Sequence, residues 1–143
     1  MAARLEHANL CVRDIDSTIR FLQTAFPEFR MRFDGTDPQG VRWVHFGTDD
    51  TYIALTQSTG QPSERWKPYT FMPGVNHLAY VVEDVEALHG RLQAAGYQES
   101  TPPNRHPYRK RVYFYDLDGN DWEFVQYLTD DPKKRHDYTL PDR

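Results

Sequence analysis

The chain has 143 residues, 38% hydrophobic and 14% aromatic, with a formal net charge of −4 and a mean hydropathy of −0.80. The length suits one compact domain, and the mild acidity gives no electrostatic case for nucleic acid or an anionic membrane surface. No apolar run approaches the roughly 20 residues of a membrane span, and the lone Cys11 excludes an internal disulfide and a multi-cysteine metal site.

The opening "MAARLEHANL" has no signal-like apolar region, so a soluble, cytoplasmic protein is expected. From His7, alternation places Ala8, Leu10 and Val12 on one face of a strand and His7, Asn9 and Cys11 on the other. Asp14 is an N-cap, with Asp16 in the first turn, and Ile15, Ile19, Leu22 and Phe26 form a helical stripe that stops before Pro27. "FRMRFDG", "VRWVHFGT" and "TYIALTQ" then read as three strands. "STGQPSERWKPYTFMPG" is polar and proline-rich, and residues 58–73 are expected to be a linker.

The pattern then repeats. "LEHANLCVRDIDSTIRFLQTAF" and "VNHLAYVVEDVEALHGRLQAAG" align without a gap, placing His77 on His7, Asp84 on Asp14 and Leu92 on Leu22. Leu78, Tyr80 and Val82 alternate with His77, Ala79 and Val81. Val85, Leu88, Leu92 and Ala95 form the second helical stripe, ended by Gly96. A short strand near Tyr97, then "RKRVYFYD" and "DWEFVQY", complete a second βαβββ unit. The expected organisation is one domain of two repeats, residues 4–57 and 74–127, with a charged tail over 128–143 that Tyr138 and Leu140 would pin to a surface.

A paired βαβββ repeat with a histidine opening each copy and a glutamate on the last strand resembles the vicinal oxygen chelate superfamily. That superfamily includes glyoxalase I, bleomycin and fosfomycin resistance proteins, and type I extradiol dioxygenases. The resemblance covers about residues 4–127. It implies an α+β fold in which two βαβββ repeats form curved sheets around a metal-binding cup.

The residues agree with it. His7 and His77 hold equivalent strand positions on the face away from the helices, and Glu123 is a carboxylate in an otherwise apolar strand that needs a cation or a proton. Two imidazoles and one carboxylate make a facial triad with open positions. "YIALTQ" aligns with "WEFVQY" so that Ala54 faces Glu123 and Gln57 faces Gln126, which leaves no fourth ligand. His45 and His89 read as structural, and His136 lies in the tail.

"NRHPYRKRVYFYDLDGNDWE" further resembles the extradiol dioxygenase signature through Asn104, His106, Val112, Tyr113, Asp116, Gly119 and Glu123, with Leu117 where proline is expected. The resemblance implies catalytic roles for His106, read as a loop residue, and for Tyr113. Asn9, Arg111, Tyr115 and Trp43 are the expected substrate-binding residues. The leading expectation is extradiol-type cleavage of a catechol-like small molecule with Fe(II). The alternatives are a thiol transferase using Mn, a lactoylglutathione-lyase-like enzyme using Ni or Zn, and a metal-free drug-sequestering protein. A homodimer is expected, with no nucleic-acid or membrane partner.

Overall fold

Both halves of the chain follow one route: a strand, a helix capped by an aspartate, then strands that close a sheet. The computed structural model describes residues 2–60, 69–70 and 73–142. They divide into two units, Met1–Glu64 and Arg65–Arg143. The expected linker over 58–73 lies largely outside the described residues.

The first unit comprises β1 (His7–Val12), α1 (Ile15–Ala25), β2 (Arg30–Thr36), β3 (Arg42–Gly47) and β4 (Tyr52–Gln57). Its sheet runs β1-β4-β3-β2, with β1 and β4 parallel and the other pairs antiparallel. α1 starts at Asp14, whose extended backbone lets the side chain accept from the Asp16 amide at 3.2 Å. Gln57 adds a second cap, its Oε1 accepting from the Ile15 amide at 3.3 Å. The helix buries Ile15, Phe21, Leu22 and Ala25, and the sheet buries Val44, Phe46, Ile53 and Leu55. Each such large apolar side chain contributes about 1.5–3 kcal/mol by leaving water. Gly47 permits the close return of β4, because a Cβ there would lie 2.3 Å from the Thr51 carbonyl oxygen.

The second unit comprises β5 (Leu78–Val81), α2 (Val85–Ala94), β6 (Asn104–His106), β7 (Arg109–Tyr115), β8 (Asp121–Tyr127) and α3 (Pro132–Arg135). Its order, β5-β8-β7-β6, and its strand directions repeat those of the first. Asp84 caps α2 through the Ala87 amide at 2.9 Å, and Gln126 accepts from the Val85 amide at 3.1 Å. The Gln57/Gln126 alignment thus corresponds to a shared helix-capping role. Gly96, at φ 85°, follows the helix in the left-handed region.

Three details depart from the expectations. The short strand foreseen near Tyr97 is only an isolated bridge, Glu99 with Phe114, and the strand proper is β6. His106 therefore ends a strand, paired with Arg109, and does not lie in a loop. Ala95 is exposed because it caps α2 rather than continuing its buried stripe.

The tail folds back on its own unit. Arg109 donates to the carbonyl oxygens of Asp137 at 2.8 Å and Arg135 at 3.3 Å, and stacks beneath Tyr138. Among the described residues no helix is long and apolar enough to cross a membrane.

Candidate metal centre

On the second sheet the face away from α2 carries Tyr113 and Glu123 as a directly paired couple on β7 and β8. Glu123 has little exposure, 12% for its side chain. His77, just ahead of β5, brings Nε2 to 3.0 Å from Glu123 Oε2. Arg111, two residues before Tyr113 and so on the same face, places Nη1 3.9 Å from Glu123 Oε1. The ring of Tyr113 meets that of His77 edge-on at 6.4 Å. Burial, reinforced by the Glu123 charge, raises the Tyr113 hydroxyl above its ordinary pKa, so it stays a hydrogen-bond donor.

An imidazole nitrogen and a shielded carboxylate oxygen facing each other are a donor pair that suits a divalent ion. Arg111 only partly balances Glu123, because it also pairs with Asp142 of the tail. The second unit thus supplies two of the donors that a divalent ion would need, His77 and Glu123.

His7 lies on the first sheet, paired with Tyr52, whose ring stacks on it at 4.7 Å. Asn9 is on the same face and accepts from Thr56 Oγ1 at 3.3 Å. Ala54 pairs with Asn9 and offers no ligand. An unforeseen row of rings crosses this face: Phe33 and Trp43 at 4.3 Å, Trp43 and His45 at 5.1 Å, His45 and Tyr52 at 4.5 Å. The period of two from Trp43 to His45 was the available signal that His45 shares the face. Burial lowers its pKa, which favours the neutral ring.

His106 is placed elsewhere. It pairs with Arg109, four residues from Tyr113 along β7, or about 13 Å along the strand from the Glu123 level. It is 4% exposed, and among the described residues its Nε2 has no hydrogen-bond partner. Tyr115 pairs with Asp121 at the opposite end. Among the described residues, no group of three or more His, Cys, Asp or Glu side chains is gathered to hold a metal ion. The structure thus brings together His77, Glu123, Arg111 and Tyr113, while His7, Asn9 and Trp43 belong to the first unit.

Residues 4–124 match the Glyoxalase/Bleomycin resistance protein/Dioxygenase superfamily. The chain belongs to that superfamily. The Frankia sp. EAN1pec glyoxylase/bleomycin resistance protein/dioxygenase domain superposes with a TM-score of 0.72 at 23% identity, covering 89% of this chain and 99% of that one. The fosfomycin resistance protein FosX from Mesorhizobium loti gives a TM-score of 0.69 at 24% identity, covering 94% and 98%. A point-substituted FosX from Listeria monocytogenes, in complex with Mn(II) and 1S,2S-dihydroxypropylphosphonic acid, gives 0.70 at 23%, covering 94% and 98%. At these identities the likenesses establish the superfamily's fold. No curated protein matches the chain.

Proposed function

We propose that this superfamily member is a divalent-metal enzyme acting on a small anionic substrate that presents two neighbouring oxygens. His7, His77 and Glu123 are the proposed ligands. The observation that carries the reading is the 3.0 Å approach of His77 Nε2 to Glu123 Oε2, with Arg111 beside the same carboxylate. Bound there, a divalent ion supplies Lewis-acid polarisation of a substrate oxygen. Arg111 holds the substrate's anionic group by charge-assisted hydrogen bonds. Tyr113 donates a hydrogen bond to a substrate oxygen. Trp43 and its neighbouring rings offer an aromatic surface on the first sheet, and Asn9 a polar edge.

Within the superfamily, addition of water or a thiol across a strained ring is the favoured chemistry, with Mn(II) the first metal to test. A FosX structure holding Mn(II) and a vicinal diol phosphonate supports this choice by analogy. Extradiol cleavage with Fe(II) gains less support, because His106 is buried some 13 Å along the strand from Glu123. An isomerase using Ni or Zn lacks a fourth ligand at Ala54.

Metal analysis of protein purified without chelator tests the reading. Stoichiometric metal that falls in the His7→Ala, His77→Ala and Glu123→Gln variants is the expected result. Undiminished metal in all three overturns it, and metal-free wild-type protein that still binds flat drugs favours sequestration. The proposed assembly is a homodimer. Mixing His7→Ala with Glu123→Gln protein restores metal binding where two copies share the site, and does not where each chain builds its own.

A further inference from the structure

We propose that Glu6 and Asn76 are positioning residues that hold His7 and His77 in the Nδ1–H tautomer, so that each Nε2 presents its lone pair to the metal. The inference rests on the reading of both histidines as ligands and assigns a role to the residue before each.

His7 Nδ1 lies 2.9 Å from Glu6 Oε1, and His77 Nδ1 lies 2.8 Å from Asn76 Oδ1. A carboxylate oxygen and an amide oxygen only accept hydrogen bonds, so each Nδ1 carries the hydrogen. In a neutral ring the lone pair is then on Nε2. For His77 that lone pair is directed at Glu123 Oε2, itself an acceptor, at 3.0 Å. Two acceptors at that separation repel unless a cation or a proton lies between them. The Asn76 contact therefore makes the His77–Glu123 pair a place that calls for positive charge.

The device recurs in both repeats, since Glu6 and Asn76 are equivalent positions in the alignment that relates His7 to His77. A tyrosine ring backs each histidine. Tyr52 donates through its hydroxyl to Glu6 Oε1 at 3.2 Å, and its ring stacks on His7 with an interplanar angle of 11°. The Glu6 carbonyl oxygen also accepts from the Tyr52 amide at 3.2 Å and from Thr51 Oγ1 at 3.1 Å. In the second unit Asp121 stands on β8 where Tyr52 stands on β4, one residue ahead of the Ile53 and Trp122 pairings. Asp121 is buried and accepts from the Tyr69 hydroxyl, and the Tyr69 ring lies near-parallel to His77 at 6.5 Å. One strand position thus orients a ring against the histidine in both units, directly in the first and through Tyr69 in the second. The units differ in charge: Glu6 is anionic and strengthens His7 as a donor, whereas Asn76 orients His77 without adding charge.

Long-range proton–nitrogen NMR of the histidine rings, at a pH where they are neutral, reads the tautomers directly. Wild-type His7 is expected as Nδ1–H without metal, and His77 as Nδ1–H once diamagnetic Zn(II) fills the space between its Nε2 and Glu123 Oε2. In Glu6→Ala the metal-free His7 ring is expected to revert to Nε2–H, while Asn76→Ala is read by its metal affinity. Mn(II) affinity, measured by titration, is expected to fall by about 10–100-fold in each. Glu6→Gln and Asn76→Asp, which keep an acceptor oxygen, are expected to restore most of the affinity, and Glu6→Gln the His7 tautomer. Mn(II) affinity unchanged in both alanine variants, with Nδ1–H retained at His7 in Glu6→Ala, overturns the positioning role. Wild-type protein that shows the expected His7 tautomer yet binds no divalent metal overturns the ligand reading instead.

Discussion

Ala54 and Glu123 occupy the same place in their two sheets. Each lies opposite the second residue after the strand-opening histidine: Ala54 pairs with Asn9, and Glu123 with Ala79. One unit therefore offers a histidine and a carboxylate, the other a histidine and a methyl group. Ala54→Glu would restore the symmetry at a position only 2% exposed. Without metal, the buried unpaired carboxylate is expected to destabilise the protein by about 3 kcal/mol. Denaturant unfolding with and without Ni(II) or Mn(II) checks this, and a variant as stable as wild type without metal contradicts it.

Arg111 is shared between Glu123 and the tail. Its Nη2 pairs with Asp142, which also lies 3.7 Å from Arg109 Nη2. An incoming anion must compete with Asp142 for the guanidinium. Asp142→Asn is expected to tighten binding of inorganic phosphate roughly two- to fivefold, in keeping with a partly exposed ion pair. Arg111→Ala is expected to abolish the difference. Calorimetric titration of phosphate into both variants provides the measurement.

His106 and the tail form one packed region. Asn104, Arg105 and His106 pair with Arg111, Lys110 and Arg109, and Arg109 is buried beneath Tyr138. His106→Ala is expected to cost about 1–3 kcal/mol in stability while leaving Mn(II) affinity within twofold of wild type, roughly the scatter expected for a distant, independent site. A large loss of metal affinity with stability unchanged would show that His106 acts at the metal after all.

The Asp116 turn offers a pH test. Its carboxylate accepts from Trp122 Nε1 at 3.0 Å, Asn120 Nδ2 at 2.9 Å and the amides of Asp118 and Asn120 at 2.9 and 3.0 Å. Burial nevertheless raises its pKa above the ordinary 3.8. The folded chain then takes up the proton before the unfolded chain does. Stability owed to this proton is present below the unfolded value and is lost as pH rises through the folded one. Asp116→Asn should remove that slope and cost about 1–3 kcal/mol near neutrality, because one acceptor oxygen becomes a donor facing donors. Urea unfolding across the acid range measures both effects.

The leucine-and-valine alternation around His7 and His77, the Asp14 and Asp84 caps and the Gln57/Gln126 match are legible in the sequence alone. So was the odd carboxylate at Glu123. These features depend on neighbours within a turn or a strand, where a period of 2 or 3.6 residues is enough to sort faces. The signature around His106 misled as to position, because Pro107 hid the short strand β6. A strand of three residues carries too little alternation to be recognised.

Sequence by itself determined the repeat, the secondary elements and which faces carry histidine, since local sterics and hydrophobic periodicity dictate them. Only the tertiary structure decided that Arg111 stands between Glu123 and Asp142, that His45 joins the ring row on the first sheet, and that Tyr69 is anchored on Asp121 beside His77. Those contacts join residues many positions apart. They arise from strand register and from the return of the chain onto its own sheet, and both are settled by packing the whole unit rather than by any one segment.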